Sequence, residues 1–89
     1  MKHLRELIDQ KVVLDTDTPF LYLGDLVSAD EDFVTLSGAD ACYCEEIGST
    51  REQYLVEAAK YGIKKNRKQV HVRNTAIVSV SRLEDIIKF

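Results

Sequence analysis

Eighty-nine residues, 45% apolar and 30% charged, fit a single soluble globular domain spanning 1–89. No apolar run approaches the roughly 20 residues a membrane-spanning helix needs, and the acid-bearing N-terminus lacks the long apolar stretch of a secretory signal. The net charge of −3 hides an asymmetry: residues 1–59 balance to −9, residues 60–73 carry six basic side chains and no acid, and residues 74–89 balance to zero.

A chain of this size buries only about 60–65% of the surface its unfolded form exposes, so its own core is marginal and association is favoured. The two cysteines, Cys42 and Cys44, stand one residue apart and make no disulfide framework. A reduced, cytoplasmic setting is the expectation.

Leu4, Leu7 and Ile8 recur at helical spacing and predict a short amphipathic helix over Lys2 to Asp9. Lys11 to Asp15 alternates as a first strand, and Asp15-Thr16-Asp17-Thr18-Pro19 reads as a turn. Phe20 to Ala29 is a long strand interrupted by Gly24, where a glycine marks a bend or a close backbone approach. Asp30-Glu31-Asp32 is the next turn. Phe33 to Leu36 is a third strand, expected to break at Ser37-Gly38 and resume from Ala41 to Cys44.

An insert over 45–68 follows. Ser49-Thr50-Arg51-Glu52 fits a capping box opened by Ser49. Tyr54, Leu55, Ala58, Ala59 and Tyr61 form an apolar stripe, so a helix is predicted over Thr50 to Tyr61, with Gly62 as its C-terminal cap. Gln69 to Arg73 and Thr75 to Val80 read as two more strands joined at Asn74. Ser81-Arg82-Leu83-Glu84 suggests a second capping box, opening a short helix with Leu83, Ile86 and Ile87 on one face and ending near Phe89.

Two segments then stand out together. Tyr22, Gly24, Leu26, Asp30 and Phe33 keep one spacing, and Val72, Arg73, Ile77 and Val80 keep another. This bipartite pattern resembles the signature of the Sm and LSm proteins, including the Hfq type, over about half the chain. The chain is similar to a divergent bacterial branch of that superfamily. The resemblance implies a mainly β fold: a five-stranded, strongly bent antiparallel barrel with an N-terminal helix. To it this chain adds a helical insert between strands 3 and 4 and a short C-terminal helix. It also implies a homo-oligomer joined through edge strands, and RNA as ligand. Two positions depart from the pattern: Val34 stands where the family has an asparagine, and Asn74 where it has a glycine.

The basic stretch 60–73 offers Lys64, Lys65, Arg67, Lys68 and Arg73 as candidate phosphate contacts. Tyr54 and Tyr61 offer stacking faces nearby. The bland alternative is a solvated loop that offsets an acidic body or pairs with a neighbouring subunit's acids. Cys42, Cys44 and His71, with His3 as a distant fourth, are a weak zinc pattern, and two small strand residues explain the cysteines better. No phosphate loop, nucleophile elbow or catalytic His-Asp-Ser arrangement appears, so no catalysis, metal or cofactor is expected. Two functions stand: an RNA-binding module, or a protein-interaction scaffold whose partner surface is the insert and the C-terminal helix.

Overall fold

The computed structural model describes residues 3–46 and 48–88. Five strands follow one another in the expected order: β1 (Lys11–Thr16), β2 (Phe20–Ala29), β3 (Phe33–Tyr43), β4 (Arg67–Arg73) and β5 (Ile77–Arg82). They form one antiparallel sheet ordered β4-β3-β2-β1-β5, which leaves β4 and β5 as its edges. One helix, α1 (Arg51–Tyr61), lies between β3 and β4 in the chain.

The sheet bends where β2 and β3 cross at Gly24. A Cβ there would come within 3.1 Å of Leu36 Cβ and of the Ser37 carbonyl. The pairing register shifts beside it, because Leu23 faces Asp40 and Asp25 faces Ser37. One extra residue in β3 is thus absorbed as a bulge around Gly38, whose φ is +53°. The bulge explains why β3 runs unbroken where the sequence predicts an interruption at Ser37-Gly38. It also reverses the side-chain alternation, so Ala39 shares the face of Val34 and Leu36 while Asp40 and Cys42 turn to the other.

Both faces of the sheet are buried. One carries Leu4, Val12, Leu14, Leu26, Val34, Leu36, Ala39 and Val72. The other packs Val13, Leu21, Leu23 and Cys42 against Leu55 and Ala58 of α1 and against Leu83. Helix α1 therefore covers a second core. Each fully buried leucine in these clusters contributes about 1.5–3 kcal/mol.

Several local expectations change. The N-terminal helix is a 3₁₀ turn, His3–Leu7, and Lys2 lies outside the described residues. The cap of α1 falls one residue later than Ser49. Thr50 accepts from the Gln53 amide at 3.1 Å, and Gln53 Oε1 accepts from the Thr50 amide at 3.1 Å. This frame brings Arg51 to Asp15, an ion pair that ties the helix start to β1, and turns Leu55 and Ala58 onto the sheet.

At the C-terminus only a 3₁₀ turn, Leu83–Asp85, follows β5. Its cap position is Arg82, with no side-chain cap bond, and Ser81 stays in the strand, so the second capping box does not form. Instead the Arg82 guanidinium holds both Glu84 and Asp85. Leu83 is buried but Ile87 is 75% exposed, and Phe89 lies outside the described residues. Strand β4 begins at Arg67 rather than Gln69, so Arg67 and Lys68 are strand residues. Between β4 and β5, Asn74–Ala76 forms a 3₁₀ turn.

Candidate nucleic-acid interface

At one end of the sheet the β2–β3 turn meets the β4–β5 turn. Asp30 Oδ1 accepts from the amides of Asp32 and Phe33, each at 2.8 Å. The Phe33 and Asp32 amides are the main reason that the Asp30 carboxyl is held below its ordinary value, since they favour the charged form. Asn74 latches the two turns: its Nδ2 donates to the Asp30 carbonyl at 2.8 Å and its amide to the Asp32 carbonyl at 2.9 Å. Among the described residues, Asn74 Oδ1 is the buried side-chain polar atom left without a partner.

This latch sets the register beside it, in which Phe33 faces Arg73 and Thr35 faces His71. The Arg73 guanidinium lies over the Phe33 ring, 5.7 Å from its centroid, a cation–π contact worth about 0.5–1 kcal/mol when exposed. His71 meets the same ring edge-on at 6.4 Å and shares a 2.8 Å hydrogen bond with the Thr35 hydroxyl through Nδ1. Cation, ring and imidazole thus share one exposed corner. Such a group can hydrogen-bond a phosphate or base edge and stack a base. Beside it, Asp30, Glu31 and Asp32 are all exposed and would repel phosphate. Val34 is fully buried in the core, where it has no polar atom to offer a base.

The other candidate residues stand elsewhere. Lys64, Lys65, Arg67 and Lys68 gather at the start of β4 and are all exposed. Six residue steps of extended strand separate Arg67 from Arg73, about 20 Å. The sequence groups these five side chains, and the strand divides them into two sites.

The lysine end is organised by Asn66. Its Oδ1 accepts from the Ala41 amide at 2.9 Å, while its Nδ2 donates to the Ala41 carbonyl at 3.1 Å and to Asp40 Oδ1 at 2.9 Å. The side-chain amide imitates the next residue of a paired strand, so β3 stays satisfied just beyond the start of β4. Asp40 is only 5% exposed, and burial raises its pKa, against the pull of the Lys64 and Arg67 charges and the Asn66 bond. A shallow cleft of about 630 Å³ opens here between α1 and β3, with Tyr54, Lys64 and Lys65 on its wall. Tyr61, the second stacking candidate, projects into solvent at 83% exposure.

The weak zinc pattern does not assemble. Cys42 is buried, which pushes its thiol up to about 11, and its neighbour Cys44 directs Sγ to the Cys42 carbonyl. Among the described residues no group of three His, Cys, Asp or Glu side chains could hold a metal ion. Likewise, no described helix is long and apolar enough to cross a membrane.

Sequence reasoning passed over Asp40, Asn66 and the Phe33–Arg73 pair. The pair is set by cross-strand register, and no local spacing announces it. Asn66 could have been flagged only as a polar residue just before a strand.

No protein-family model and no curated protein matches the sequence. Among solved structures, the chain is similar to the Sm protein of Pyrococcus abyssii, solved in complex with a uridine heptamer. The TM-score is 0.62 over 91% of this chain and 93% of that chain, at 16% identity. The fold is therefore Sm-like: mainly β, with five antiparallel strands in one strongly bent sheet.

Proposed function

We propose that this chain is a non-enzymatic Sm-like module that assembles edge to edge with copies of itself and binds single-stranded RNA at the Arg73–Phe33 corner. The observation that carries the reading is the guanidinium stacked on an exposed aromatic ring where two turns are latched together. The Sm protein of similar fold is itself complexed with a uridine heptamer. Arg73 bonds a phosphate or base edge, and Phe33 supports it and offers a stacking surface.

Assembly follows from the two bare edges. Val70 and Val72 end the first core on β4, and Ile77 and Val80 end it on β5. Val78 on β5 is 68% exposed, an unusual place for valine unless another strand covers it. Pairing β4 of one copy with β5 of the next satisfies both edges and joins their apolar margins. The two thiols suit a reducing, cytoplasmic setting.

The test is fluorescence anisotropy of a labelled oligouridine and a mixed RNA pool at two salt concentrations. Binding should weaken as salt rises, and Arg73→Ala should cost about tenfold in affinity, as for loss of one charge-assisted hydrogen bond. Binding that ignores both salt and Arg73, or no binding to any RNA, would refute the reading.

A scaffold function draws on different observations: the three acids of the β2–β3 turn, the buried Val34 and the exposed Tyr61. It predicts a protein partner retained at high salt and lost when Tyr61 becomes charged. Absence of any such partner would remove it.

A further inference from the structure

The two open edges differ in charge. Lys64, Lys65, Arg67 and Lys68 crowd the start of β4, and none of them is in an ion pair among the described residues. The end of β5 leads into Glu84 and Asp85, whose side chains remain 69% and 54% exposed although both touch Arg82. Two carboxylates share one guanidinium there, which leaves a net negative turn at the sheet edge.

Antiparallel pairing fixes how these meet. When β4 of one copy lies antiparallel to β5 of another, the start of β4 faces the end of β5. The strands have seven and six residues, so their ends coincide to within about one residue, or about 3.3 Å. The lysine end then lies beside the acidic turn. On the sheet face of the first core, Val70 and Val72 meet Ile77 and Val80.

We infer that Lys64, Lys65, Arg67 and Lys68 dock against the Glu84–Asp85 turn of a second copy of this chain, and so serve assembly rather than RNA. The inference rests on the edge pairing proposed above and deepens it, by assigning the basic run to subunit contact. It leaves Arg73, at the far end of β4, as the cation available to RNA. Charge at the edge also acts against one wrong pairing: two β4 edges set parallel would place the basic runs together, a repulsive contact.

A charge-swap experiment separates these readings. Sedimentation velocity is run on the wild type, on Lys65→Glu/Lys68→Glu, on Glu84→Lys/Asp85→Lys, and on an equimolar mixture of the two variants. The wild type should assemble near 0.1 M salt and dissociate toward 1 M, where the screening length falls from about 10 Å to about 3 Å. Each variant alone should self-associate about tenfold more weakly. The mixture should regain the large species, because each altered edge now faces its complement. This rescue cannot come from a variant that has merely unfolded.

If both variants assemble alone as the wild type does, the charge assignment is overturned and the edge pairing stands. If the mixture fails to regain the large species, the assignment is likewise overturned. A wild type that stays monomeric at every salt concentration overturns the edge pairing and the assignment together. Loss of RNA affinity by the Lys65→Glu/Lys68→Glu variant within a restored mixed assembly would instead give the basic run to nucleic acid.

Discussion

Asn66→Ala removes three hydrogen bonds with one truncation, and the structure gives their weights. The two bonds to the Ala41 backbone lie at the surface, so each contributes at the low end, about 0.5 kcal/mol. The bond to Asp40 is charge-assisted and partly shielded, at about 1.5 kcal/mol. The expected loss is about 2.5 kcal/mol, a large share of the roughly 5–13 kcal/mol total expected for a domain of 89 residues. Urea denaturation at one protein concentration should show the midpoint falling by about 2.5 M, for a slope near 1 kcal/mol/M. A double-mutant cycle isolates the buried bond. In an Asp40→Ala background, Asn66→Ala should cost only about 1 kcal/mol, a coupling of about 1.5 kcal/mol. A loss below about 0.5 kcal/mol, or the full loss in both backgrounds, would refute the reasoning.

Gly24→Ala should destabilise the fold by about 1–3 kcal/mol, measured by the same denaturation, because the new methyl meets Leu36 Cβ and the Ser37 carbonyl at 3.1 Å in a fully packed crossing. No change would mean that the β2–β3 crossing is looser than described. Asp40 has its folded pKa raised by burial, so folding takes up a proton there as pH falls. Its contribution to wild-type stability should increase as pH drops through the raised value toward 3.8, the ordinary one. Asp30, with its pKa lowered, runs the other way, and its contribution is lost as pH falls through its folded value. Asp40→Asn should abolish the acid-side gain in a pH series of denaturation midpoints; an unchanged difference between the two curves would refute it.

Much of the architecture is legible in the sequence. A continuous apolar run marks Val12–Leu14, buried on both faces, alternation marks Val70–Val72, the stripe of Leu55 and Ala58 marks α1, and Gly24 marks the bend, because these patterns reflect the local geometry of strand and helix. Local signals did less well where neighbours compete. The Gly38 dipeptide reads as a break, yet pairing on both sides holds β3 together through a bulge. The Ser81 capping box loses to continued strand pairing with Val13.

The candidate site divides along the same line. The sequence by itself determined that five basic side chains and a pair of degenerate motifs are present. Only the tertiary structure decided that Arg73 sits on Phe33, that Asn66 and Asp40 organise the far end, and that a strand's length lies between. The reason is physical: spacing along a chain fixes which face a side chain takes, while cross-strand register fixes what it meets. Register follows from turns, bulges and packing summed over the whole sheet.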